Sequence, residues 1–159
     1  MKALTHIDEN GRVRMVDVSG KDHTLRIAIA RGKITMKAET LEMILNRSVK
    51  KGNVLETARI AGVMAAKRTS ELIPMCHPLN ITHLSVDFFP DKASCAIRIE
   101  SSARTLGQTG VEMEALTAVS IAALTIYDMC KSVDREMAIS DIVLFEKSGG
   151  KSGSFKREI

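Results

Sequence analysis

The chain has 159 residues, 45% apolar and 26% charged, with a formal net charge of +4. That is enough length for one domain with a real core, in the ordinary balance of a soluble globular protein. Aromatic residues are only 3% and Trp is absent, which calls for an aliphatic core and speaks against a single-stranded nucleic-acid binder, since such proteins stack bases on rings.

Residues 1–24 read as an irregular N-terminal arm, rich in turn formers (Asp8, Asn10, Gly11, Ser19, Gly20, Asp22) around the short apolar patch Met15-Val16-Asp17-Val18. The first ten residues carry charges and no apolar run, so no secretory signal is expected. Leu25, Ile27 and Ile29 alternate with Arg26 and Ala28 as a strand, Arg31-Gly32 breaks it, and Ile34 with Met36 resumes it. Leu41, Ile44, Leu45 and Val49 recur at helical spacing up to Lys50-Lys51-Gly52. A second helix is predicted over 54–72, halted by Pro74. Leu84, Val86 and Phe88 alternate, Pro90-Asp91 turns, and Cys95, Ile97 and Ile99 alternate back, which predicts a hairpin.

Residues 102–109 read as a polar loop before a long helix over 110–133, with Thr109 and Glu112 spaced as a capping box. A last strand is predicted over 139–145, and 147–159 form a Lys- and Gly-rich tail expected to be mobile. The domain proper is thus 25–146. The order strand, two helices, strand, strand, helix, strand is a βαββαβ plan: an α+β, ferredoxin-like two-layer sandwich on an antiparallel sheet, with one additional helix. No segment approaches the roughly 18–20 apolar residues of a membrane span, so no membrane association is expected.

From Ala115 to Tyr127 no residue is charged. That is roughly 20 Å of helix without a strongly polar face. Either the helix over 54–72 flanks it within the same chain, or a second subunit covers part of it.

Asp128 and Lys131, three apart, share a helix face, either as an exposed ion pair or as an acid/base pair. Glu112 and Glu114 flank Met113 at the helix start. Glu114 and Asp128 lie roughly 21 Å apart along the axis, so one small ligand reaches both only if it is as long as a nucleoside triphosphate, or if two subunits share the site. Pro74-Met75-Cys76-His77-Pro78 is a stiff loop that can present backbone amides and the His77 imidazole. Cys76, Cys95 and Cys130 are odd in number and widely spaced. With no CxxC pair and no ligands at zinc spacing, neither a disulfide framework nor a metal site is expected, and reduced thiols in a cytoplasmic protein follow.

Lys50-Lys51-Gly52-Asn53 and Lys147-Ser148-Gly149-Gly150-Lys151-Ser152-Gly153 can hold phosphates through ammonium groups and glycine N–H donors. The second resembles a P-loop but has Phe145 where that motif needs glycine, and no predicted helix follows, so a kinase or ATPase is not expected.

Together, several stretches resemble the cyclic pyranopterin monophosphate synthase family, the molybdenum cofactor biosynthesis protein C family. They are Leu4-Thr5-His6-Ile7-Asp8, Met15-Val16-Asp17-Val18-Ser19, Thr57-Ala58-Arg59-Ile60-Ala61-Gly62, Ala65-Ala66-Lys67-Arg68-Thr69, Leu72-Ile73-Pro74-Met75-Cys76-His77-Pro78-Leu79, 109–117, 122–131 and 147–153. The resemblance implies a lyase that converts 3′,8-cyclo-7,8-dihydro-GTP to cyclic pyranopterin monophosphate and releases pyrophosphate. It implies a ferredoxin-like fold and a homohexamer, a trimer of dimers, with sites at the dimer interface. It carries Asp128 over as the catalytic carboxylate, with Lys131 and Lys51 as further acid/base residues. Met75, Cys76, His77, Glu112, Met113 and Glu114 become substrate contacts, and Lys21, Arg26 and Lys147 phosphate-side residues.

Met75 stands where leucine is common, a volume-conserving change. No redox cofactor is demanded, and Mg2+ accompanying the triphosphate is compatible with this chemistry. Two other readings stand beside this one: a non-catalytic nucleotide-binding oligomer of the same fold, which needs the cations but not Asp128, and a general RNA-binding domain, which needs a steep salt dependence.

Overall fold

The computed structural model describes residues 5–158. The first four positions of the expected arm, with Leu4 of the first resembling stretch, and Ile159 of the expected tail lie outside the described residues. In chain order the elements are β1 (Thr24–Thr35), α1 (Ala38–Leu45), α2 (Val54–Ala66), α3 (Thr69–Leu72), β2 (Ile81–Asp91), β3 (Ala96–Gly107), α4 (Glu112–Cys130), β4 (Ala138–Ser148) and β5 (Phe155–Lys156). The sheet order is β2-β3-β1-β4-β5, and every neighbouring pair is antiparallel. With α2 and α4 on one face, this is the ferredoxin-like α+β sandwich that the alternation of periods predicts.

Ala28, Ala30, Gly32 and Ile34 point from β1 into the core and are buried. Gly32 does not break the strand as expected. A Cβ there would meet Val119 Cγ1 at 2.5 Å, so this glycine lets α4 lie close to the sheet. Gly62 does the same between helices, since a Cβ would approach Ala118 O at 2.9 Å. The uncharged stretch of α4 is thereby explained largely within the chain: Ala115, Ala118, Val119, Ala122, Ala123 and Ile126 are sealed against the sheet and α2. By length and composition α4 does meet the measure of a membrane span, which the sequence reading did not anticipate, and 56% of that window is buried inside the fold. Leu124, and on α2 Ile60 and Met64, remain exposed.

Several boundaries move, each for a local reason. The helix predicted over 54–72 is two, because α2 caps at Lys67 and Thr69 Oγ1 donates to Ala66 O at 2.9 Å. The polar stretch 102–107 is strand and not loop. Its inward hydroxyls are satisfied, Thr105 Oγ1 donating to Asn80 O at 2.6 Å just as Ser101 Oγ donates to Ala115 O at 2.7 Å earlier in β3, so polarity here is compatible with full burial. The Thr109–Glu112 capping box is absent: α4 starts at Glu112 behind Val111, with no side-chain cap. Part of the expected mobile tail is ordered. Lys147 and Ser148 belong to β4, and Phe155–Lys156 pair with it as β5.

Candidate functional site

Two groups of chemistry-bearing residues sit at opposite ends of α4. At the C-terminal end, Lys131 Nζ lies 2.9 Å from Asp128 Oδ1 and Lys51 Nζ lies 3.6 Å from Oδ2. Lys51 Nζ also donates to the main-chain oxygen of Asp128 at 2.9 Å. The three side chains are about half exposed in the single chain. The hydrogen bond from Lys131, then its charge and that of Lys51, hold the Asp128 carboxyl below its usual range, while the bond to Asp128 holds the Lys131 ammonium above its own. Within one chain this is the exposed ion pair of the two alternatives, joined by a second lysine brought from 77 residues upstream. Neither partner sits near neutrality there.

At the N-terminal end the fold makes two adjoining clefts of about 540 and 550 Å³. Met75, Cys76 and His77 from the loop after α3, and Glu112, Met113 and Glu114 from the start of α4, line the first, together with Lys21. Lys21 and Glu112 also line the second, with Arg26, Gly150, Lys151 and Ser152. Lys147 adjoins this wall through two of its residues, 3.8 Å from Glu112 Oε1 and bonded to the Ser152 hydroxyl. Every residue singled out at this end is thus brought together, and Lys51, Asp128 and Lys131 are not.

Glu114 is 4% exposed. Burial pushes its carboxyl up from 4.5 to about 7, helped by the charge of Glu112 and opposed by a bond to its own backbone N–H. The Cys76 thiol is raised by its own burial and by Glu114. A carboxyl near neutrality beside a loop imidazole can both give and take a proton at physiological pH.

The second cleft is cationic and rigidly built. Arg26 donates from Nε to Gly107 O at 3.3 Å and from Nη2 to Gln108 O at 3.2 Å, which aims its guanidinium at the glycine loop. Gly149 and Gly150 both have positive φ. A Cβ on the first would fall 2.2 Å from the backbone Leu25 O, which only glycine permits, and on the second 1.9 Å from Arg26 Nη1, so that the guanidinium would have to move.

Gln108, Gly110 and His6 also line these clefts, and the sequence reading passed over them. Gln108 fastens the N-terminal arm by donating to Lys21 O at 2.9 Å. Its one available signal was an amide side chain next to Thr109 in a stretch read as mere connection. Among the described residues, no three His, Cys, Asp or Glu side chains gather in a way that could hold a metal ion.

The sequence model described as the MoaC family matches residues 15–150. Among curated proteins the chain is 70% identical to a cyclic pyranopterin monophosphate synthase of Desulforapulum autotrophicum, over 98% of this chain and 95% of that one. It is 65% identical to the protein of that name from Desulfatibacillum aliphaticivorans, over 99% of each. To that of Roseiflexus it is 61% identical, over 98% of each.

Proposed function

Since the chain belongs to the MoaC family, we infer that it acts as a cyclic pyranopterin monophosphate synthase, a lyase of molybdenum cofactor biosynthesis. Its substrate is 3′,8-cyclo-7,8-dihydro-GTP and its second product pyrophosphate. The purine-derived ring must be opened and reclosed, which requires several proton transfers. A ribose-derived hydroxyl must then attack the α-phosphorus as pyrophosphate leaves, which requires cations at the developing charge. Glu114, Cys76 and His77 face the ring portion in this reading, and Lys21, Arg26, Lys147 and Lys151 face the phosphates. Asp128, Lys131 and Lys51 shuttle protons. The reaction needs no redox cofactor, Mg2+ would arrive with the triphosphate, and free thiols throughout suit the cytoplasm.

The observation that carries the reading is the length of α4. Glu114 stands in the clefts and Asp128 roughly 21 Å down the axis, each with its own cationic company. One complete site is obtained when the Asp128 end of one protomer meets the clefts of another. That supports a dimer with shared sites, assembled further into a homohexamer as a trimer of dimers. Exposed Ile60, Met64 and Leu124 on the helical layer supply apolar surface for such an assembly.

Incubating the protein with 3′,8-cyclo-7,8-dihydro-GTP should release pyrophosphate and the pterin product together. Asp128→Ala should keep substrate affinity within about tenfold and lower turnover by about 10² or more. Unchanged turnover in that variant removes Asp128 from the chemistry and leaves a nucleotide binder.

A further inference from the structure

Asp134 lies just past α4, 1% exposed, in a segment to which the site gives no part. Its carboxylate is saturated from elsewhere in the fold. Oδ2 accepts from the backbone N–H of Lys37 at 2.8 Å and from Thr40 Oγ1 at 3.2 Å, and Oδ1 accepts from Glu136 N at 3.0 Å. Lys37 is the N-cap of α1 and offers no side-chain cap of its own. Asp134 thus caps α1 from 97 residues away, where a carboxylate also meets the positive end of the helix.

The same residue is tied backward. Its N–H donates to Cys130 O at 3.1 Å, and Lys131 N donates to Tyr127 O at 2.8 Å, so Asp134 continues the last turn of the helix that carries Asp128 and Lys131. Forward from Asp134 the path runs through α1, whose Leu41 and Ile44 are buried and whose Leu45 packs beside them. It continues through a short turn to Val49, also packed on the core, and ends at Lys51. Lys51 then returns to Asp128. The circuit is closed: Asp128 to Asp134 along the end of α4, across to α1, along α1 to Lys51, and back.

We propose that Asp134 is a positioning residue for the reaction, setting where Lys51 stands against Asp128. It touches no substrate. An eight-residue helix holds little structure by itself, so the place of α1, and of the turn after it that leads to Lys51, depends on what anchors its first turn. The buried carboxylate makes two of the bonds that do so, from Lys37 N and Thr40 Oγ1, while the third, from Glu136 N, fixes the carboxylate itself. A displacement of about 1 Å at reacting groups can cost on the order of 10²-fold in rate, so a loosened anchor should be read in turnover before it is read in binding.

This inference rests on the assignment of Lys51 and Asp128 to the chemistry, and the test separates the two. Single-turnover pyrophosphate release is measured for Asp134→Asn, Lys51→Ala, the double variant, and Val86→Ala, a core truncation on β2 remote from α1, all well below their melting temperatures. Asp134→Asn is expected to lower the rate about tenfold or more with KM within about threefold, and to change it less than about twofold once Lys51 is gone.

Equal factors in both backgrounds, or a loss no greater than that of Val86→Ala, overturn the positioning role. A Lys51→Ala protein with full activity sinks the parent assignment and this one with it. Should Asp134→Asn not fold, Thr40→Val removes a single bond to the same oxygen and is judged by the same comparison.

Discussion

Replacing Glu114 by glutamine separates the energetics of the site from its chemistry. Burial raises this carboxyl from 4.5 to about 7, so the folded chain keeps a proton that the unfolded chain has already released. Between those two pH values the native state binds more protons, and stability must fall as pH rises. Below about 4.5 both states hold the proton and there is no penalty. Above about 7 the native state carries a buried carboxylate at full cost. The shift of about 2.5 units, at 1.36 kcal/mol each, amounts to on the order of 3 kcal/mol.

Glutamine has the shape of the protonated acid and does not titrate. Glu114→Gln should therefore match the parent at pH 4.5 and exceed it by on the order of 3 kcal/mol at pH 8, less whatever its amide leaves unbonded. Urea midpoints across this range, at fixed protein concentration so that association does not intrude, give the comparison. A difference that stays constant with pH would refute the reasoning, because it would mean that Glu114 is ionised throughout or bonded in a way that makes its charge costless. Activity should move the other way and fall, since the proton that the buried carboxyl keeps toward neutrality is the one available to the substrate.

Two further outcomes bear on assembly and on the cationic cleft. Asp128→Ala and His77→Ala chains, each inactive alone, should recover roughly a quarter of parental activity when unfolded and refolded together, since half the symmetric dimers would be mixed and each would hold one intact site of two. No recovery would place both residues in one protomer's site. Gly150→Ala puts a methyl group against the Arg26 guanidinium. It should raise KM for the triphosphate while lowering stability by only about 1 kcal/mol, the ordinary penalty for alanine at positive φ. An unchanged KM would remove that loop from phosphate binding.

The sheet was legible because the stretches that form β1, β2 and the start of β3 alternate at period two, and the order of elements allows few right-handed, uncrossed arrangements. What the alternation concealed were places where a residue type serves tertiary contact. Gly32 reads as a turn and is a spacer for Val119. Ser101 and Thr105 read as polar, yet both are buried, because each hydroxyl has a carbonyl waiting in another element. Thr109 and Glu112 have capping-box spacing, but Glu112 is drawn off toward Lys147, a contact between residues far apart in sequence. The cleft residues were named on motif likeness, and the structure gathers those from the N-terminal end of α4. Gln108 and Asp134 had no such signal, because their work consists mainly of bonds to main-chain atoms that any residue type could own.

The same distinction explains how one helix serves two ends of a reaction. A carboxyl is tuned by what surrounds it, and α4 offers both extremes. Glu114 enters the sheet-facing layer, loses water and moves toward neutrality, whereas Asp128 stands outside among ammonium groups and stays ionised. Environments this different cannot lie side by side on a short element without each eroding the other. About four turns of buried alanine, valine and isoleucine keep them apart. If both carboxyls serve one reaction, as proposed, the separation that preserves the contrast also leaves each chain's site to be completed by another. On the proposed shared site, association of chains would be a condition for catalysis, and the aspartate would lose part of its solvent when a second protomer closed over it. In that closed state Lys51 and Lys131 together would set its proton affinity, and the placement of Lys51 would then bear on the rate.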